Sequence, residues 1–296
     1  MDQLEVQRSY HQRKFTAMIN RIICPTDFSP EANNATLYSA KLAQETNSSL
    51  MLLHVERAKP MAAGARLAGI TNDEENKRFE SKLEQLKSTA AEVRRTFNIT
   101  CECEMDISTE ALAKTIAIFG TGNSMIVMGT NGADNLFQFF FGSNTYHVIR
   151  EANCPVLMVP DKSEYSSLNK IVYALTYEEK GRLAIDGLIE FARSFPKAIF
   201  HFVHVSAKDT AISQDVYNAM KEEVETICGG KIVPHFSRVF TSDTTEGIQS
   251  YLESNPPDLL VMAAHHRNIF ESLFSAKPVL EGLSAVPTLP MLVFHA

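Results

Sequence analysis

Long apolar runs, basic blocks and paired cysteines are what this sequence lacks. Its longest apolar stretches have the length of strands, far short of the roughly 20 residues that cross a bilayer, so no membrane span is expected. The amino-terminal segment has no apolar core of the kind that a secretory signal carries. Lysine and arginine number 28 against 35 aspartates and glutamates, for a formal charge of −7, and no block or helix stripe gathers the basic residues. That argues against the dense phosphate contacts of a nucleic-acid binder. Five cysteines, an odd number without a paired framework, fit a reducing cytoplasm. Cys101-Glu102-Cys103 puts two thiols on one face of an expected strand, and with no second pair nearby it reads as a half-buried strand and not as a zinc site. No serine, histidine and acid set converges, so no catalytic residue is assigned.

What is present is concentrated in one stretch. The apolar run Met125-Ile126-Val127-Met128 is followed by Gly129, two residues, Gly132, nine residues, and Gly142-Ser143-Asn144. Glycines after a buried strand let backbone N–H groups approach an anion, because no β-carbon stands in the way. The loop then feeds a helix start, where unpaired N–H groups and the helix dipole favour negative charge. Ser143 or Asn144 is expected to cap the helix from Thr145 to Glu151. The plainer alternative is a strand-to-helix connection with turn glycines. Three glycines at two fixed spacings favour the anion or nucleotide site.

Around this stretch, strands and helices alternate. Arg21 to Pro25 reads as a strand and Thr26 to Pro30 as a turn and helix entry; a helix ending near Thr46-Asn47 keeps Ala35, Leu37, Tyr38, Ala40, Leu42 and Ala43 on a broad face. Leu50 to Val55 is continuously apolar up to His54, as a strand covered on both faces should be. A long helix from Asn72 to Thr96 has Phe79, Leu83, Leu86, Ala90 and Val93 at helical spacing, with Thr71 and Glu74 as its capping box. Ile99 to Met105 alternates as a half-exposed strand, Ser108 is expected to cap a helix through Phe119, and Pro155 to Val159 supplies a last strand. This order predicts an α/β fold with a parallel, doubly wound sheet and helices on both faces. Ligands of such sheets lie beyond the carboxyl ends of the strands, where Asp27 and the Gly129 loop both fall.

The same programme runs twice. Lys170 to Ala174 repeats the first strand, Ile199 to Val205 the second, Pro257 to Met262 the strand ending at Met128, and Leu289 to Val293 the stretch from Cys154 to Met158. His204-Val205 then matches His54-Val55, and Asp243 with Glu246 caps a helix through Tyr251 and Leu252. The offset is 149 from Ile22 to Ile171 and 135 from Pro155 to Pro290, so the second copy is shorter, and the loop from Arg57 to Ile70 is the expected difference. Domains over 18–161 and 170–296 are expected, joined by a polar linker over 162–169. Residues 1–17 read as a tail, or as a stretch ahead of an alternative start at Met18.

These residues carry a resemblance. Ile23-Cys24-Pro25-Thr26-Asp27-Phe28-Ser29, Leu52-Leu53-His54-Val55, Met128-Gly129-Thr130-Asn131-Gly132, Gly142-Ser143-Asn144 and Cys154 to Val159 resemble the universal stress protein family, and the repeat resembles a tandem member of it. The resemblance implies a five-stranded parallel sheet in each domain, Rossmann-like and similar to the adenine nucleotide alpha hydrolases, and a cytoplasmic role in stress survival without a defined reaction. In the ATP-binding branch, adenine and ribose lie near the first aspartate and the second-strand valine, here Asp27 and Val55 with Pro25 and Thr26 beside them. The phosphates lie on the glycine loop, here Met128, Gly129, Gly132, Gly142, Ser143 and Asn144. ATP or another adenine nucleotide, with Mg²⁺ as a possible companion, is the implied ligand of the first domain.

Departures from the family pattern sharpen these expectations. Between Gly132 and Gly142 there is no lysine or arginine, and Asp134 adds repulsion to a triphosphate; weak affinity or reliance on Mg²⁺ follows. In the second half, Ala263 and His266 stand at the positions of Gly129 and Gly132, Ala276-Lys277-Pro278 at those of Gly142-Ser143-Asn144, and Thr176 at that of Asp27. β-Carbons and a proline block the backbone approach, so this half reads as degenerate and nucleotide-free. His265-His266 with Arg267 and Lys277 is a small cationic group suited to a different anion. The last strands, Pro155 to Val159 and Pro290 to Phe294, are short apolar runs at domain ends, where unpaired edges seek partners. Family members dimerise through this strand, which implies an intrachain pseudo-dimer. Association of two chains is a separate contact, for which Phe139-Phe140-Phe141 is a candidate surface; packing beneath the loop is the plainer reading of that run. The alternatives to a nucleotide-binding regulator are a nucleotide-free scaffold and a very slow ATPase or phosphoryl-transfer enzyme.

Overall fold

The computed structural model describes residues 19–57, 73–130, 143–175, 181–207, 211–263 and 289–294. Residues 1–17, Thr71, Gly132, the Phe139-Phe140-Phe141 run, Gly142, Thr176, the His265-His266-Arg267 group and Ala276-Lys277-Pro278 lie outside the described residues. The described chain falls into two compact units, one between Asn20 and Tyr165 and the other from Ser166 onward.

The first unit runs β1 (Arg21–Pro25), α1 (Pro30–Thr46), β2 (Ser49–Arg57), α2 (Asp73–Phe97), β3 (Cys101–Ser108), α3 (Leu112–Phe119), β4 (Ser124–Thr130), α4 (Ser143–Glu151) and β5 (Val156–Pro160). Its strands lie in the order β3-β2-β1-β4-β5, each pair parallel, which is the doubly wound sheet that the alternating pattern predicts. The order reverses at β1, whose neighbours are β2 and β4. Ile22, Ile23 and Cys24 of β1 and Leu52 and Leu53 of β2 are fully buried, as continuous apolar strands between two helix layers must be.

Helix α1 starts with Ser29 as N-cap, its Oγ accepting from the Ala32 amide at 3.2 Å, and with Pro30 in the first turn. It stops at Asn47, whose left-handed conformation sends its amide back to the Ala43 carbonyl. Ala35, Tyr38, Leu42 and Ala43 are buried as expected, whereas Leu37 is 53% exposed. At roughly 100° per residue Leu37 lies about 200° round from Ala35, on the outer face. Ser108 does not cap α3 either: it remains in β3 opposite Arg57, and Ala111, which makes no side-chain cap bond, is the N-cap. The Ser108 hydroxyl instead accepts from Glu110 N at 3.1 Å and from Thr115 Oγ1 at 2.8 Å. Helix α4 already includes Ser143, so Asn144 belongs to its first turn and is not its cap. In α2, Leu86, Ala90 and Val93 form the buried stripe, and on β3 Cys101 is buried and Cys103 half-buried. All five cysteines are free thiols. The polar segment after β5 begins by packing on α1: Tyr165 donates to Glu45 at 2.6 Å and sets its ring edge-on to Tyr38.

The second unit runs β6 (Lys170–Leu175), α5 (Gly181–Ala192), β7 (Ile199–Ser206), α6 (Ala211–Cys228), β8 (Pro234–Phe240), α7 (Thr244–Ser254), β9 (Leu259–Ala263) and β10 (Met291–Phe294). Its order, β10-β9-β6-β7-β8, is again parallel throughout and repeats the first sheet position for position. Asp243 caps α7 as expected, one carboxylate oxygen accepting from Thr245 N at 2.8 Å and Glu246 N at 3.1 Å. Phe294 closes the core over Gly187, where a β-carbon would come within 2.7 Å of its ring.

Candidate functional site

In the first unit the strand order reverses between β1 and β4, and a cavity of about 370 Å³ opens beyond the carboxyl ends of β1, β2 and β4. An open crevice is expected at that place, because the connections from the two strands leave toward opposite faces of the sheet.

The chain leaving β1 shapes one side. Thr26 N still donates to the Leu53 carbonyl at 2.8 Å, but the strand pairing stops at Pro25 opposite Leu53. Phe28 then adopts φ 67, a left-handed conformation costly for a bulky residue. Two short bonds hold the turn: Phe28 N to Thr26 Oγ1 and Ser29 N to Asp27 Oδ1, both at 3.0 Å. Asp27 thereby presents a carboxylate at the cavity wall. Burial tends to raise its pKa, but hydrogen bonds from Ser29 and the nearby His54 outweigh that and hold it below the ordinary value. The carboxylate is therefore an acceptor for hydroxyl or amino donors.

The remaining walls are mostly apolar. Leu53 and Val55 come from one face of β2, Leu112 and Ile116 from one face of α3, and Met128 from β4. Asn144 and Thr145, in the first turn of α4, border the opposite side. Thr130, at the end of β4, is 4% exposed, and its hydroxyl has no hydrogen-bond partner among the described residues. A buried hydroxyl without a partner is costly, and here it stands in a residue that lines the cavity. The lining carries two carboxylates, Asp27 and Glu31, and no cationic side chain among the described residues.

Gly129 has a packing role that the glycine spacing did not suggest. A β-carbon there would overlap the Glu31 carbonyl and lie 3.0 Å from the Ala32 nitrogen, so the missing side chain admits the first turn of α1 against the end of β4.

Of the residues expected from the sequence, Pro25, Thr26, Asp27, Val55, Met128, Gly129 and Asn144 share this cavity. Ser143 begins α4, while Gly132 and Gly142 lie outside the described residues. The sequence reading missed Ser29, Glu31, Ala32, Leu53, Leu112, Ile116, Thr130 and Thr145. Leu53 was within reach, since it shares a strand face with Val55, and Thr130 sits inside the glycine motif itself. Leu112 and Ile116 carry no local mark. No group of three or more His, Cys, Asp or Glu side chains fit to hold a metal ion occurs among the described residues. No helix of the described chain is long and apolar enough to cross a membrane.

A doubly wound parallel sheet, with an apolar and acidic crevice at its point of reversal, defines a Rossmann-like α/β protein. Residues 18–160 match the model of the Universal stress protein family, so this part of the chain is a domain of that family. It is similar to Universal stress protein MJ0577 of Methanocaldococcus jannaschii, with 29% identity over 164 residues that cover 50% of this chain and 99% of that protein. Among solved structures it resembles a universal stress protein from Archaeoglobus fulgidus, with a TM-score of 0.70 at 17% identity over 93% of this chain and 98% of that one. A protein of unknown function from Pseudomonas aeruginosa, PA1789, has a TM-score of 0.52 at 18% identity, covering 94% of this chain and 92% of its own. At these identities the structural likenesses speak for the fold.

Proposed function

We propose that the first domain binds ATP or a related adenine nucleotide in this crevice, and that the protein is a cytoplasmic regulator of stress survival and not a catalyst of a defined reaction. The observation that carries the reading is the meeting of Pro25, Asp27, Val55, Met128, Gly129 and Asn144, expected separately from the sequence, around one cavity of about 370 Å³. That volume falls in the usual range for a small-molecule pocket.

The residues fit the nucleoside half of such a ligand. Leu53, Leu112, Ile116 and Met128 are apolar walls for a flat base, Asp27 accepts from amino or ribose hydroxyl groups, and the Thr130 hydroxyl, unpartnered among the described residues, gains a partner when a polar ligand group reaches it. Phosphates fall to the α4 end, near Asn144 and Thr145, and to the glycine loop. The acidic lining favours a nucleotide whose charge is reduced by Mg²⁺.

Titration calorimetry with Mg·ATP tests this. One equivalent per chain is expected, because Ala263 stands in β9 where β4 has Gly129. Native mass spectrometry of protein purified without added nucleotide should show the same stoichiometry. Two equivalent sites, or no binding at millimolar nucleotide, would refute it.

A further inference from the structure

The chain leaves β1 at Thr26 in an irregular way, with the His54 ring on the Thr26 carbonyl. In β2, odd-numbered residues bond toward β1 and even-numbered ones toward β3: Ser49 N donates to Asn20 O, and Leu50 N to Thr100 O. Thr26 N donates to Leu53 O, so a regular parallel ladder would next give the Thr26 carbonyl to the Val55 amide. That carbonyl instead accepts from His54 Nδ1 at 2.7 Å. The imidazole, 4% exposed, is held on its other side, with Nε2 3.2 Å from Glu56 Oε2, and Lys82 of α2 is bonded to the same oxygen. The Phe28 ring lies 4.9 Å from the imidazole, centroid to centroid, which supports the left-handed turn just beyond Thr26. The chain therefore peels off β2 at Thr26, and Val55 lines the cavity.

The second unit offers an internal comparison. His204 Nδ1 reaches the Leu175 carbonyl at 3.2 Å, the contact that corresponds to His54 and Thr26. Strand β6, however, stays paired with β7 as far as Leu175 and His204, one pair beyond the end of β1. Ser206 stands where Glu56 does, and its hydroxyl accepts from Arg238. The carboxylate that fixes the ring in the first unit has thus given way to an arginine-bound serine in the unit expected to be nucleotide-free.

We propose that His54 is a positioning residue of the nucleotide site: by taking the Thr26 carbonyl it frees the Val55 amide to donate to an acceptor nitrogen of the bound base, with Glu56 and Lys82 fixing its orientation. The inference rests on the nucleotide reading above. It assigns His54 no contact with the ligand and no step of chemistry. The donor on Nδ1 is the functional atom, so a side chain that can present an N–H to the same carbonyl should substitute for it.

Two readouts on the full chain test it: ATP affinity by calorimetry, and exchange of the Val55 amide by NMR, in wild type, His54→Leu and His54→Gln. In the ligand-free wild type the Val55 amide should exchange rapidly and become protected when ATP is added. In His54→Leu it should be protected without ATP, having recovered the Thr26 carbonyl, and the Kd for ATP should rise about tenfold, the scale of one well-placed hydrogen bond. His54→Gln should remain within about threefold of wild type. Unchanged Val55 exchange in His54→Leu, or unchanged ATP affinity, overturns the role of His54 while leaving the nucleotide reading intact. A wild type that binds no ATP overturns that reading first, and the ligand role of Val55 with it.

Discussion

Gly129 and Glu31 meet backbone to backbone: the end of β4 lies against the first turn of α1 so closely that a β-carbon on Gly129 would overlap the Glu31 carbonyl. Because backbone on both sides forms the contact, no side chain can swing away to make room. Gly129→Ala should therefore destabilise the first unit by about 1–3 kcal/mol, the usual cost of overpacking. Thermal and urea unfolding followed by circular dichroism measure it. A variant as stable as the wild type would mean that α1 shifts without cost.

Removing the cap of α7 should cost more than removing the hydroxyl that precedes α3. Asp243 satisfies two amides at the start of α7, so Asp243→Ala should lose about 1 kcal/mol. Ser108 caps nothing, and Thr115 keeps a contact with the Ala111 carbonyl at 3.4 Å. Ser108→Ala should lie within about 0.5 kcal/mol of wild type. Equal losses in the two variants would contradict the assigned helix starts.

Leu86 and Leu37 are both helical leucines with opposite fates, the first fully buried and the second 53% exposed. Leu86→Ala should cost about 2–5 kcal/mol through lost burial and a residual cavity. Leu37→Ala should stay within about 0.5 kcal/mol. Urea midpoints of the two variants, compared at constant m-value, decide the matter.

Acid should loosen the two units in different ranges. Burial holds the imidazole of His204 below its ordinary value of 6.5, and Arg238 adds to this against the Leu175 hydrogen bond; burial, Lys170 and His235 lower that of His201. The unfolded chain takes up these protons more readily, so the stability they confer is full above about pH 6.5 and is lost as the pH falls through their native values. In the first unit Glu56 is held below its ordinary 4.5, chiefly by its hydrogen bond to Lys82, with burial opposing. Its contribution is complete above about pH 4.5 and disappears only below that. Unfolding midpoints measured between about pH 8 and 3.5 should show two declines, and His204→Asn should reduce the upper one. A flat midpoint between about pH 6.5 and 5 would contradict this assignment.

The order of strands and helices was open to the sequence because its signals are local. Apolar runs such as Ile22-Ile23-Cys24 and Leu50 to Leu53, the stripe of Leu86, Ala90 and Val93, and the Asp243 cap each depend on residues a few positions apart. The internal repeat was visible for the same reason, and with it the doubly wound sheet and the carboxyl-end place of Asp27 and Gly129. Only the tertiary structure decided which face of α1 turns outward with Leu37, and which helix walls the cavity, through Leu112 and Ile116. It also decided that the Thr130 hydroxyl has no partner among the described residues, that Gly129 accommodates α1, and that the His54 ring bonds the Thr26 carbonyl. Each of these is a contact between residues distant in the chain, and the spacing of residues along one segment contains no record of what another segment brings against it.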